Sequence, residues 1–100
     1  MRPSAVVYRR FAMDEPFAVV GEIDLATAPA MAKGLAAYCE RTAGDVVVDC
    51  SAMTFIDSTG LAIFQTTRRD LDGRRLLLTA VSDSCRRAFE IVGMDDLLVD

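Results

Sequence analysis

The sequence contains no histidine and no tryptophan, and only one of its 11 basic residues is a lysine, Lys33. Without histidine, a Ser-His or Cys-His catalytic pair and a histidine-ligated metal site are excluded. The cysteines Cys39, Cys50 and Cys85 form no close pair and no metal-ligand spacing, and an odd number cannot complete a disulfide framework. We therefore expect reduced, mostly buried thiols and no cofactor.

Long apolar runs and a surplus of basic residues are also missing. No segment approaches the ~20 apolar residues that span a bilayer, and the N-terminus lacks the pattern of a signal peptide. The net charge is −4 and the pI is about 4.7, which argues against the basic surface that supplies affinity for nucleic acid or an anionic membrane. We expect a cytoplasmic protein that neither inserts into a membrane nor binds nucleic acid.

The apolar residues that are present predict one α/β domain over residues 1–100, since 52% of the chain is hydrophobic. β-rich runs at 6–11 and 17–23 flank an acidic, proline-containing turn, which predicts an N-terminal hairpin. The apolar runs at 46–48 and 76–78 predict strands covered on both faces, where the sheet turns parallel. Residues 97–99 predict a last short strand.

Three helical patterns separate these strands. The first starts at Thr27, with a proline in its first turn, and ends before Gly44; the second starts after Ser58 and ends near Gly73; the third is capped by Ser82 and ends at Gly93. The buried stripes are Leu61, Phe64 and Leu71 in the second helix and Cys85, Ala88, Phe89 and Val92 in the third. The predicted order is β-β-α-β-α-β-α-β, a mixed, mostly parallel sheet with an antiparallel hairpin strand and helices packed over it.

Residues 51–61 are predicted to form a loop from the central strand into the second helix, with Ser58 at the junction. Unpaired N–H groups and the helix dipole favour an anion there, so a phosphoryl group on Ser58 is compatible with an intact helix. Its oxygens and its charge of about −1.5 to −2 would repel an acidic or apolar partner face. From spacing alone, a simple helix cap at Asp57 or Ser58 is the favoured alternative, and the two roles are compatible.

These segments resemble the STAS domain of the anti-sigma factor antagonist family. The family's strand, apolar loop, Asp-Ser-Ser/Thr-Gly-Leu run and helix are matched by residues 46–61, its Gly-Glu-Leu/Ile-Asp run by residues 21–24, and its last helix by residues 81–94. The resemblance implies a STAS fold and a cycle in which an anti-sigma factor with serine kinase activity phosphorylates Ser58 and a serine phosphatase reverses the modification. Unphosphorylated protein would bind the anti-sigma factor and free a sigma factor.

The resemblance also implies a set of partner-binding residues, namely Asp24, Asp57, Ser58, Thr59 and Gly60. Asp24 matches the family's acidic position before the first helix, with capping of that helix as an equal alternative. Thr59 either accepts phosphate as well or supports the loop. Only one residue follows the last predicted strand, so the final helix of longer family members is either dispensable or cut off from this sequence.

Three other functions, and a redox role for Cys85, are alternatives to the prediction of an anti-sigma factor antagonist. A receiver-like domain with Asp49 as acceptor needs clustered acidic residues and a late-strand lysine, and the sequence supplies neither. A protease-like turn at 57–60 has one residue too many and Ser58 has no base, so no enzyme is expected. A STAS subunit that docks on a membrane lipid-transport ABC ATPase stays open, because such subunits carry a similar loop. For Cys85 we favour core packing over a redox-sensitive thiol.

Overall fold

The computed structural model describes residues 15–99. Its strands are β1 (Phe17–Ile23), β2 (Val46–Ile56), β3 (Leu76–Thr79) and β4 (Leu98–Val99), which lie in chain order, each parallel to its neighbour. Each crossover carries a helix: α1 (Ala28–Arg41), α2 (Ser58–Asp70) and α3 (Asp83–Ile91), the last followed by a 3-10 turn at Asp95–Leu97. The predicted mostly parallel α/β architecture is confirmed. The hairpin strand expected at 6–11 lies outside the described residues.

The core lies between the sheet and the helices. Burial alternates along β2 and β3: Val46, Val48, Leu76 and Leu78 are buried, whereas Val47 and Leu77 are partly exposed. One face of the sheet therefore takes the core, and the expectation that these two strands are covered equally on both faces is wrong. The helices contribute apolar side chains to the same cluster, among them Met31, Leu35, Phe64 and Phe89.

Strand β2 is longer than the sequence predicts, because residues 51–56 continue it instead of forming a loop. β2 pairs with β1 from Val48, opposite Phe17, to Ile56, opposite Ile23. Two register shifts interrupt the pairing. At each shift β2 advances by one residue more than β1, which is the signature of a bulge. The predicted loop before α2 is thereby reduced to Asp57.

The helix starts follow the predictions only in part. Ser82 caps α3, its Oγ accepting a 3.3 Å hydrogen bond from the Cys85 N–H. Thr27 occupies the N-cap position of α1, but its side chain makes no capping bond to that helix. Val92 was placed on the buried stripe of α3, yet α3 ends at Ile91 and Val92 is 50% exposed.

The C-terminal end of α1 is held by an arginine from a distant segment. The Arg74 guanidinium donates hydrogen bonds to the carbonyl oxygens of Cys39 (3.2 Å), Thr42 (2.6 Å) and Gly44 (2.7 Å). A helix end leaves its last carbonyls without partners inside the helix, and a cation there also complements the dipole. Arg74 therefore closes α1 and fixes the turn that leads into β2.

Two of the three thiols lie in the core. Cys50 is fully buried and Cys85 is nearly so, which supports core packing as the role of Cys85. Burial raises the pKa of the Cys50 thiol to about 12. Cys39, on α1, is half-buried, and burial also raises its pKa. None of the helices within residues 15–99 combines the length and apolar character that crossing a membrane would require.

Candidate functional site

The candidate site lies at the edge of the sheet where the parallel strands end. In parallel strands all carboxyl ends meet at one edge, which brings the loop after β1, with Asp24, to the junction after β2, with Asp57 and Ser58. The Asp57 N–H donates a 3.1 Å hydrogen bond to the Ile23 carbonyl and joins the two directly. The structure thus brings together the two segments that carry the predicted site residues.

Asp57 is the N-cap of α2. Its Oδ1 accepts hydrogen bonds from the backbone N–H groups of Thr59 (2.9 Å) and Gly60 (3.3 Å), and its backbone carbonyl accepts one from Leu61 (3.0 Å). Two of the free donors at the helix start are therefore already taken by a carboxylate. The prediction that Asp57 or Ser58 caps this helix is confirmed for Asp57.

Ser58 is the first residue of α2 and is exposed. Within residues 15–99, its hydroxyl oxygen has no hydrogen-bond partner. Because Asp57 occupies the donors of Thr59 and Gly60, an anion on Ser58 would meet the helix dipole but not these two N–H groups. The prediction that unpaired N–H groups of this turn favour an anion is therefore wrong for Thr59 and Gly60, whose N–H groups are already bonded to Asp57.

Gly60 is buried against the ends of both strands. A Cβ at this position would lie 2.7 Å from Ile23 Cγ2 and 2.7 Å from Ile56 Cγ1. These distances are far below van der Waals contact, so only glycine lets the first turn of α2 approach the sheet this closely. Gly60 shapes the site through packing and offers no side chain to a partner.

Asp24 organises the loop between β1 and α1. Its Oδ1 accepts hydrogen bonds from the N–H groups of Ala26 (3.0 Å) and Thr27 (3.1 Å), which is an Asx-type turn. The Thr27 Oγ1 accepts from the Asp24 N–H (2.9 Å) and donates to the Glu22 carbonyl (2.6 Å). These contacts give the half-buried Asp24 a structural role in the loop before α1. They are not a cap of α1 itself, which begins at Ala28.

Ser58 and Thr59 line two neighbouring grooves along α2, which share Ala62 as a wall residue. Ser58 lines an open groove of about 260 Å³ between α2 and the end of α3, together with Leu61, Ala62, Gln65, Val92 and Met94. Thr59 lines a groove of about 410 Å³ between α1 and α2, whose walls include Ala32, Ala36, Ile63, Thr66 and Thr67. The wall residues Gln65, Val92 and Met94 were not predicted from the sequence, since finding them requires the end of α3 to be placed correctly.

The comparisons with known proteins decide the family. The family model described as the STAS domain matches residues 14–99. This chain belongs to the STAS domain family. Among curated relatives of this STAS domain, the anti-sigma-B factor antagonist of Listeria monocytogenes is 35% identical over 82 residues, which cover 80% of this chain and 72% of that protein. The anti-sigma-B factor antagonist of Staphylococcus aureus is 34% identical over 82 residues, covering 80% and 76%.

Two solved structures share the fold of this STAS domain. A crystal structure of an anti-sigma factor antagonist from Mycobacterium paratuberculosis superposes with a TM-score of 0.78 at 28% identity, covering 93% of this chain and 80% of that one. The unphosphorylated anti-sigma factor antagonist SpoIIAA superposes with a TM-score of 0.78 at 18% identity, covering 96% and 87%. At that lower identity the likeness is one of fold.

The receiver-like alternative finds no support in the geometry of this STAS domain. Asp49 accepts a 2.9 Å hydrogen bond from the Ser51 N–H, and Lys33 is exposed on α1. Within residues 15–99 no group of three or more acidic or cysteine side chains is arranged to hold a metal ion. At the edge, the carboxylates of Asp24 and Asp57 accept hydrogen bonds from backbone N–H groups, whereas the Ser58 hydroxyl is exposed.

Proposed function

We propose that this STAS domain is an anti-sigma factor antagonist that works by binding and not by catalysis. In its unphosphorylated form it binds an anti-sigma factor in the cytoplasm and thereby frees a sigma factor. The observation that carries the proposal is the identity of 35% and 34% with two anti-sigma-B factor antagonists over 80% of the chain. We assign the role to one domain spanning residues 1–100.

Phosphorylation of Ser58 is the proposed switch. The modifying enzyme is the serine kinase activity of the anti-sigma factor itself, and a serine phosphatase reverses the reaction. Three features support Ser58 as acceptor: it is exposed, it begins a helix, and it lines a groove. A phosphoryl group would add a charge of about −1.5 to −2 beside the Asp57 carboxylate and change what this edge presents to a partner.

The other predicted partner-binding residues lie at the same edge with different tasks. Asp24 and Asp57 hold the loop and the helix start through their carboxylates. Gly60 permits the close packing beneath them. Thr59 lines the neighbouring groove, between α1 and α2. We propose that the partner covers this edge and that Ser58 is the residue whose state it reads.

Intact-mass analysis after incubation with ATP and purified candidate anti-sigma factors, followed by peptide mapping, tests the switch. We expect one added phosphate, on Ser58, and none on the Ser58→Ala variant. Binding to the same anti-sigma factor should persist for Ser58→Ala in the presence of ATP and weaken for Ser58→Glu. The matched control is Ser84→Glu, since Ser84 is also an exposed serine in the first turn of a helix but does not line the groove.

Two results would contradict the proposal. Equal affinities for Ser58→Ala and Ser58→Glu would remove the switch. Copurification of the native protein with the nucleotide-binding subunit of a lipid transporter, without an anti-sigma factor, would replace the antagonist by the transporter-docking role.

A further inference from the structure

Among residues 15–99, the side chains that line the groove beside Ser58 are all uncharged. Its lining consists of Ser58, Leu61, Ala62, Gln65, Val92 and Met94, in a chain of which 26% is charged. The two apolar residues at the end of α3 are unusually open, because Ile91 is 78% exposed and Val92 is 50% exposed. Val92 lines the groove and Ile91 precedes it in the chain, and exposed apolar surface of this kind often marks a protein contact site. At about 260 Å³ the groove is also smaller than the 300–1,000 Å³ typical of small-molecule pockets.

The turn that ends α3 holds these apolar residues in place. The Met94 N–H donates to the Phe89 carbonyl (2.8 Å) and the Gly93 N–H to the Glu90 carbonyl (3.1 Å), with Gly93 at φ +74°. This is the hydrogen-bond pattern of a Schellman cap, which buries the residue after the glycine, here Met94. Ile91 and Val92 are thereby left outside the core as a fixed feature of the backbone.

A polar link on the outer side ties this turn to α2. The Arg68 side chain donates to Asp96 Oδ2 (2.8 Å) and to Gln65 Oε1 (2.9 Å). Gln65 lies in the groove, and Asp96 follows Met94 in the 3-10 turn. Arg68 therefore links Gln65, which lines the groove, to the 3-10 turn that follows Met94.

The surroundings of Ser58 indicate which groups a phosphoryl group on its side chain would meet. The nearby N–H groups of Thr59 and Gly60 already bind Asp57. A phosphoryl group that extends from Ser58 into the groove meets mostly apolar walls, with no cation among the described lining residues. The polar wall residue Gln65 already accepts a hydrogen bond from Arg68 through its Oε1. A hydrated dianion and an apolar side chain cannot share such a space, because each excludes the solvation that the other requires.

We propose that an apolar side chain of the anti-sigma factor occupies this groove against Val92 and Met94, with Ile91 packing at its rim. Phosphorylated Ser58 then weakens binding by filling the groove with a hydrated anion, and not by repelling an acidic partner face. The inference rests on the proposed antagonist function. It makes Ile91 and Val92 affinity-determining residues, in addition to the switch residue.

A matched pair of valines tests the apolar contact. Val92→Thr keeps the side-chain shape and adds a hydroxyl in the groove, and Val99→Thr makes the same change at a 39% exposed position on β4. Affinities are measured with the purified anti-sigma factor, after thermal melts have shown that each variant is folded. We expect Val92→Thr and Ile91→Thr to weaken binding about 5- to 30-fold, the effect typical of interface anchors, and Val99→Thr to stay within about twofold.

A second pair of variants separates occupancy from repulsion. Ser58→Gln and Ser58→Glu are similar in size and differ in charge. If the partner group is apolar, both weaken binding relative to Ser58→Ala, and the loss persists from low to high salt. If the partner face is acidic, Ser58→Gln binds like Ser58→Ala and the penalty of Ser58→Glu disappears at high salt. The latter result would overturn the inference.

The two proposals fail in distinguishable ways. Equal binding of Ser58→Ala and Ser58→Glu removes the switch and the inference with it. A weakened Ser58→Glu combined with Val92→Thr and Ile91→Thr that bind as tightly as Val99→Thr removes only the apolar contact.

Discussion

The backbone N–H of Asp57 donates a 3.1 Å hydrogen bond to the carbonyl of Ile23. The bond lies where β1 and β2 have reached their ends, with Ile23 opposite Ile56 in the last register position. It extends the link between the strands by one residue, into the start of α2. The loop that carries Asp24 and the helix that carries Ser58 are therefore positioned by the same few backbone groups.

Replacement of Gly60 by alanine tests the packing of α2 on the sheet. In an exposed helix this change stabilises by roughly 1 kcal/mol, because alanine has the higher helix propensity. Here the new methyl group would lie 2.7 Å from carbons of Ile23 and Ile56, so we expect a net loss of about 1–3 kcal/mol in the free energy of unfolding. Urea denaturation measures it, and a more stable Gly60→Ala protein would contradict the contact.

The capping role of Asp57 predicts a loss at one end of α2 and none at the other. Asp57→Ala leaves the N–H groups of Thr59 and Gly60 without their acceptor and should cost about 0.5–2 kcal/mol. Asp70→Ala is the control, since an exposed aspartate in the last turn opposes the helix dipole and its removal should be neutral or slightly stabilising. Thermal or chemical unfolding of the two variants compares them, and equal stabilities would speak against the cap.

Two adjacent arginines allow a direct comparison of a helix clamp with a surface ion pair. Arg74→Met removes three hydrogen bonds to carbonyl groups near the end of α1, and we expect a loss of about 1.5–3 kcal/mol. Arg75→Met removes an exposed pairing with Asp45, which solvent screens, so the loss should be clearly smaller. Urea unfolding curves measure both losses. Equal losses in the free energy of unfolding for Arg75→Met and Arg74→Met would show that the Arg74 clamp stabilises no more than a surface ion pair.

The thiols should differ in reactivity. In the folded protein we expect a reagent such as DTNB to modify Cys39 first, while the buried Cys50 and Cys85 react only after unfolding. Denaturant should release all three thiols, and Cys39→Ser should abolish the early phase. Rapid modification of Cys85 in the folded state would revive the redox alternative for that residue.

Burial of Cys50 also predicts a loss of stability in alkaline solution. Its pKa rises from 9.0 to about 12, first because burial disfavours the thiolate and then because Asp49 is near. A raised pKa means that the folded state holds the proton more tightly, so the stabilisation is complete below pH 9 and is lost as the pH rises toward 12. Between these values the free energy of unfolding should fall more steeply for the native protein than for Cys50→Ala, and parallel slopes would contradict this.

The order of elements could be predicted from the sequence because local signals mark it. Gly73 and Gly93 lie just beyond the ends of α2 and α3, and Ser82 caps α3 as predicted. The extension of β2 to Ile56 could not be predicted, since bulges space its buried residues by three: Cys50, Met53 and Ile56. A spacing of three does not match the alternation by which a strand is recognised.

Contacts between distant segments escaped prediction for a different reason. Arg74 binds carbonyls about 30 positions earlier in the chain, and no local pattern distinguishes it from Arg75. A family resemblance points to Ser58 as the site. The groove that Ser58 lines cannot be predicted in this way, because it also needs Val92, which follows the end of α3, to be placed correctly. Capping by Asp57 follows from local sequence, but its bond to Ile23 follows from the parallel sheet.

The contact of Gly60 with Ile23 and Ile56 leaves no slack beneath the first turn of α2. A helix seated without clearance on two strand ends cannot tilt or slide without opening a void, which close-packed interiors resist. The edge where β1 and β2 end is therefore a closely packed platform beneath the first turn of α2. The proposed phosphorylation of Ser58 would change what this platform presents to a partner, and close packing leaves little ordering to be done on this side of the interface.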